Sequence, residues 1–185
     1  AFLNGPTAVE MAHRLSALGF TCMWYEEPAL PEFPDAIADI RRQIPLPVCV
    51  GERIHTRYMA RPILDRHATD YLMPDVARCG GISELRKIAN LAETYNVPIA
   101  PHSPNGPICT IASAHVAACI PNFFRQEFMA KDVAWSSLCL SHPLPVANGR
   151  FTLPDRPGLG FDIDEERLAA SPGLRVAPTD RAFYV

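Results

Sequence analysis

Apolar and polar positions along the chain switch repeatedly between a helical and a strand period. Residues 7–18, "TAVEMAHRLSAL", predict a helix that opens on Thr7 with Glu10 three residues later, a capping-box pattern. Its Val9, Met11, Leu15 and Leu18 share one face only approximately. "FTCMWYEEP", residues 20–28, predicts a strand. "PDAIADIRRQI", residues 34–44, predicts a helix with Pro34 near its start and Ile37, Ile40 and Ile44 inward. "LPVCVGE" (46–52) is strand-like, and "RYMARPILDRH" (57–67) is helical with Pro62 as its weak point. A strand over 70–75 precedes the best-patterned helix, 82–95, whose Ile82, Leu85, Ile88, Ala89 and Ala92 fall on one face. A strand over 97–102, a buried helix over 108–120 and a last strand over 123–128 complete the series.

Nearly all-apolar strands alternating with helices predict a parallel sheet covered by helices. What ends each strand narrows the choice. The ends carry Glu26, Glu52, Asp75, His102 and Glu127, at intervals of about 25 residues, one βα unit apiece. A doubly wound sheet places such groups at one or two strands near its switch point. A closed barrel brings every strand C-terminus to one mouth, so a (β/α) barrel is expected, with this ring of polar groups as its site.

Composition narrows the function. The 185 residues are 48% hydrophobic and 20% charged, ordinary values for a domain with a real core. Net charge is −3 with no basic block, which predicts no nucleic-acid partner. No apolar run is long enough to cross a bilayer, and no signal-like segment opens the chain, so no membrane association and a cytoplasmic location are expected. The six cysteines are scattered without a CxxC pair; they read as small core hydrophobes in a reducing compartment, not as a zinc site or disulfide framework.

Glu26 and Glu52, on adjacent strand ends, would repel each other across a barrel mouth. Oxygen ligands without a nearby cysteine predict a hard cation such as Mg2+ between them; the alternative is an ion pair with an arginine such as Arg53. Asp75 and His102 are also neighbours. A carboxylate on one ring nitrogen fixes the tautomer and raises the basicity of the other, which makes His102 a candidate general base. Glu127, if burial keeps it neutral, would donate a hydrogen bond. Such a set suits removal of the proton alpha to a carboxylate, with the cation and the acid stabilising the enediolate.

The segments "WYEEP", "VGER", "MPDVARCGGISE", "APHSPNGP", "RQEF" and "PGLGFDIDE" together resemble the mandelate racemase-like branch of the enolase superfamily, most of all its acid-sugar dehydratases of the galactonate and mannonate kind. The resemblance implies an α/β fold, the C-terminal part of a modified TIM (β/α)7β barrel, with the capping domain and first strands absent. It implies Glu26 and Glu52 as Mg2+ ligands, Asp75 and His102 as the dyad, and Glu127 as the acid of the last strand. Residues 1–150 then form the barrel portion and 151–185 a segment returning toward the capping domain. The implied activity is Mg2+-dependent dehydration of a sugar acid by a protein that is a homo-oligomer when full length. A racemase or epimerase of a 2-hydroxy acid, or a catalytically dead relative, are the alternatives.

Two positions depart from the family pattern. If "FLNG" aligns with the family's D-x-[HN], Phe2 takes the place of the first metal ligand and Asn4 that of a histidine proposed to assist the leaving hydroxyl. The expected explanations are that the ligand is lost or lies before Ala1. The expectation that follows is the C-terminal half of a chain about twice as long. Arg53, His55 and Asn4 are candidate substrate contacts; the alternatives are a structural ion pair for Arg53 and a loop histidine without a function for His55. His115 is expected to be a core histidine, His13, His67 and His142 surface residues, Trp135 a loop residue near the pocket or in packing, and Gly80–Gly81 a turn.

Overall fold

The computed structural model of the protein describes residues 4–129 and 139–170. These fall into two compact units that divide between Met129 and Ala130. Phe2 and Trp135 lie outside the described residues.

The first unit runs α1 (Gly5–Ala17), β1 (Tyr25–Glu26), α2 (Pro34–Gln43), β2 (Val48–Val50), α3 (Arg57–Asp65), β3 (Tyr71–Leu72), α4 (Gly81–Glu93) and α5 (Pro107–Ala117). The strands pair in parallel in the order β1-β2-β3. Single parallel bridges extend the row, Leu72 to Ile99 and Ile99 to Phe123. Five parallel segments therefore lie side by side in chain order, with no reversal. That is the winding of a barrel wall, not of a doubly wound sheet.

The ladders are shorter than the apolar runs predicted. Pro98 and Pro101 flank the bridge at Ile99 and offer no N–H, so pairing there reduces to Leu72 N–H on the Pro98 carbonyl (3.0 Å) and Ala100 N–H on the Leu72 carbonyl (2.8 Å). Helix α1 also starts earlier than expected. Asn4, not Thr7, is the N-cap, and its Oδ1 accepts the Thr7 N–H at 3.0 Å, with a proline in the first turn where no donor is needed. Its buried face is Ala8 and Ala12, whereas Met11 and Leu18 stay 43% and 74% exposed, because the small side chains allow the closer packing. Helix α3 continues through Pro62. The carbonyl that loses its donor is that of Tyr58, a residue 72% exposed, so the lost bond falls on the solvent side of the helix. In α4 the stripe is buried from Leu85 to Ala92, while Ile82 is 44% exposed in the first turn, just after the positive-φ pair Gly80 and Gly81.

Buried Cys49, Met73 and Ala100, from three successive strand segments, form a small cluster with Trp24 and Tyr71 packed on it. Cys49 and Cys79 are buried, Cys119 is exposed, and none of the six cysteines is in a disulfide. At the N-terminal ends of the strands, Arg41 of α2 pairs with Asp70 at 2.6 Å while the other Asp70 oxygen accepts the Val48 N–H at 2.8 Å.

The second unit holds an antiparallel hairpin, β4 (Val146–Ala147) and β5 (Arg150–Phe151), turning on Asn148 and Gly149, both with positive φ. An antiparallel bridge joins Leu140 to Ile163, and Asp164 Oδ1 caps the short helix α6 (Glu165–Ala170) through the Arg167 N–H.

Candidate active site

Each strand-end residue is carried to its place by the pairing beneath it. Asp75 and His102 form a parallel bridge of their own, and the Glu127 N–H bonds the Pro101 carbonyl at 3.1 Å. The five expected residues thus emerge from five adjacent segments, and three of their carboxylates surround one histidine. His102 Nδ1 lies 2.8 Å from Asp75 Oδ2. Its Nε2 lies 3.2 Å from Glu52 Oε2 and 3.7 Å from Glu127 Oε2. Glu26, Glu52 and His102 each offer an atom within 4.8 Å of the others.

Burial disfavours the charged form of His102, but the Asp75 hydrogen bond and the carboxylates of Glu127 and Glu52 outweigh it and raise its pKa. Asp75 is fully buried and accepts on both oxygens, Oδ1 taking the Ala77 N–H at 2.8 Å. An acceptor-only carboxylate so held fixes Nδ1 of His102 as the donor and leaves Nε2 facing Glu52 and Glu127. Glu127 is only partly buried: its side chain is 31% exposed, and its Oε2 accepts the Ser103 N–H at 2.9 Å.

The candidate substrate contacts fare differently. Asn4 spends its side-chain oxygen on the α1 cap. Arg53 Nε lies 3.4 Å from Glu52 Oε1, as the ion-pair alternative requires. His55 is exposed, with Nδ1 at 3.3 Å from the Arg78 carbonyl. His13, His67 and His142 are exposed and His115 is half-buried.

Three further residues belong to the site and were not singled out from the sequence. Trp24 Nε1–H donates to Glu26 Oε2 at 3.0 Å; two residues before Glu26 on one strand, it shares that face, and period two is the signal that finds it. Asn105 Nδ2–H donates to Asp75 Oδ2, the oxygen His102 also uses. Its "NG" context reads as a turn and hides this contact. Glu27, the second acid of "WYEEP", is 3% exposed, has a φ of 42°, and accepts the Gly51 N–H on Oε1 at 2.9 Å. Burial pushes its carboxyl up; the Gly51 bond and Arg53 oppose this, while Glu52 and Glu26 add to it.

The donor set fits Mg2+. Two carboxylates supply hard oxygen ligands, and an oxygen of each lies within 4.8 Å of the other, close enough to share one ion. The ring of His102, hydrogen-bonded through Nδ1, is better placed to move a proton than to ligate.

This wall of parallel strands, with acids and a histidine at its C-terminal ends, defines a barrel enzyme site of the superfamily in which enolase stands. The model of the enolase C-terminal domain-like family matches residues 2–167, and the chain belongs to that family. It is 34% identical over 167 residues to the D-xylonate dehydratase of Haloferax volcanii, covering 90% of this chain and 40% of that protein. It is 39% identical over 160 residues to the D-galactarolactone cycloisomerase of Agrobacterium fabrum, covering 82% and 42%. Among solved structures, a mandelate racemase/muconate lactonizing enzyme-like protein from Rubrobacter xylanophilus superposes with a TM-score of 0.83 at 38% identity, over 91% of this chain and 43% of that one. The chain thus spans about two fifths of the length of these curated relatives. No described helix is long and apolar enough to cross a membrane.

Proposed function

We propose that the chain carries the catalytic wall of a Mg2+-dependent sugar-acid dehydratase. The observation that carries the reading is His102, bound to Asp75 through Nδ1 and open through Nε2 toward Glu52 and Glu127. Glu26 and Glu52 would hold the cation, which when bound supplies positive charge against the negative charge growing on the substrate carboxylate. With those two acids neutralised, less negative field holds a proton on His102, which favours the neutral ring a base requires. Nε2 then takes the proton alpha to the carboxylate, and Asp75 stabilises the imidazolium that forms without leaving its place. Glu127 faces the same nitrogen and, carrying a proton, would donate a hydrogen bond to the enediolate. The beta hydroxyl would leave as water with the proton returned by the His102 imidazolium, giving an enol that tautomerises to a 2-keto-3-deoxy acid.

The likeness to a cycloisomerase favours one second reading, isomerase chemistry begun by the same proton abstraction. Both are tested by screening sugar acids with the full gene product and Mg2+, in heavy water. Loss of water with formation of a 2-keto acid, abolished in His102→Asn, supports the dehydratase. Deuterium uptake without loss of water supports the isomerase or a racemase. An intact fold that neither binds Mg2+ nor exchanges any alpha proton refutes both and leaves a catalytically dead relative.

A further inference from the structure

Glu27 is a buried carboxylate that the proposed chemistry does not use. The register of β1 and β2 shows what it replaces. Tyr25 pairs with Val48 and Glu26 with Cys49, so Glu27 falls opposite Val50. The Glu27 N–H keeps the ladder, bonding the Cys49 carbonyl at 2.9 Å. In an unbroken parallel ladder the next bond would run from the Gly51 N–H to the Glu27 carbonyl. Here φ at Glu27 is 42°, outside the strand region, and the Gly51 N–H goes to the Glu27 side chain instead, 2.9 Å from Oε1.

On the other side, Gly51 is pressed against the third strand. A Cβ on it would stand 2.6 Å from the Met73 nitrogen and 2.7 Å from the Met73 carbonyl carbon. Gly51 is therefore fixed from both sides, by a side chain from β1 and by the backbone at Met73, and Glu52 is the next residue. The arrangement lets the first strand turn away directly after Glu26 while the chain beyond the second, held at Gly51, carries Glu52 to within 4.8 Å of Glu26.

The geometry points to Glu27 as a positioning residue for Glu52. Its Oε1 substitutes for its own main-chain carbonyl, completes the ladder at Gly51 and sets where the second carboxylate stands. The consequence for cation affinity rests on the metal reading above; the consequence for the Gly51 amide does not. The role asks for an acceptor, not for a charge, so Gln at position 27 serves and Met, of similar length, does not.

The test uses the full gene product and its Glu27→Gln, Glu27→Met and Glu27→Asp variants. Hydrogen exchange at the Gly51 amide is read first. We expect protection to persist in Glu27→Gln and to fall by about 100-fold in Glu27→Met. Should the Met variant not fold, Glu27→Asp, one methylene too short to reach Gly51, takes its place. Mg2+ affinity by calorimetry is read second, with an expected loss of roughly 10–100-fold for Met and little for Gln. Ile37→Val, a core change remote from the site, is the control that lowers stability and leaves affinity unmoved. Undiminished Gly51 protection in both Met and Asp variants would overturn the inference. So would Mg2+ binding by Glu27→Met equal to that of the unsubstituted protein, in which Glu26→Gln abolishes binding. If the unsubstituted protein itself binds no Mg2+, the metal reading fails, and Gly51 exchange still decides the role of Glu27.

Discussion

Replacing Asp70 with Asn separates the end of the barrel wall that holds it together from the end proposed to do chemistry. Asp70 Oδ1 accepts from Arg41 Nη2 at 2.6 Å and Oδ2 from the Val48 N–H at 2.8 Å, while Arg41 Nη1 also reaches the His67 carbonyl at 3.1 Å. Asn has the same shape, and its one oxygen can still serve Val48. Its amide then sets a donor against the guanidinium, and one charge-assisted bond is lost, worth roughly 1.5–3 kcal/mol when well shielded. The side chains are 33% and 28% exposed, so screening reduces the expected loss to about 1–2 kcal/mol. Burial raises the Asp70 pKa, but the bonds from Arg41 and Val48 outweigh it and hold the carboxyl below its ordinary value. The unfolded chain titrates it near 3.9. The stabilisation is therefore complete above about pH 4 and fades as pH falls through the lower folded-state value. Urea unfolding of the two proteins gives a gap of about 1–2 kcal/mol at pH 7 that narrows toward pH 3. Mg2+ affinity is unchanged, since the pair lies at the opposite strand ends. No gap at pH 7, or one undiminished at pH 3, would refute the reasoning.

Three further outcomes are expected. Asn105→Asp keeps the shape but sets a carboxylate against the buried Asp75; we expect a loss of alpha-proton exchange of at least 10-fold and exceeding that of Asn105→Ala, where a purely packing role would spare the isostere. Gly51→Ala forces its Cβ into the Met73 backbone at 2.6 Å and costs roughly 2–4 kcal/mol by denaturant unfolding; an unchanged midpoint would mean that the strands separate freely there. Removing divalent ions with a chelator abolishes turnover and added Mg2+ restores it, whereas turnover that survives chelation would remove Glu26 and Glu52 from the proposed role.

Much of this was legible in the sequence because each signal had one physical cause. The acids and the histidine recur once per βα unit, and a barrel is the arrangement that makes such a recurrence meet. The single-file strand order and the grouping of Glu26, Glu52 and His102 agree with that reading. What stayed hidden were contacts set by backbone detail. Asn4 outcompetes Thr7 as a cap because it lies one turn earlier with a free oxygen, and nothing in the periodicity ranks the two. Strand lengths were overestimated at Pro98 and Pro101, where apolar character persists but donors are missing. Glu27 and Asn105 reach their partners only after the chain turns, at a positive φ in one case and in a loop in the other. The hairpin at Asn148–Gly149 carried a local signal, the dipeptide itself, in a segment assigned no strands.

The cysteines beneath the site have a practical consequence. Cys49 sits one residue before the end of its strand, and burial, with the fields of Glu26, Glu27, Glu127 and Asp70, pushes its thiol far up; burial, Asp75 and Glu84 push Cys79 up to about 12. A thiol that does not ionise at neutral pH neither attacks electrophiles nor oxidises readily. Cys119, just past α5, is exposed to solvent. A thiol-directed fluorophore or spin label should therefore react at Cys119 before Cys49 or Cys79, so a reporter can be attached to the protein without touching the floor on which its acids stand.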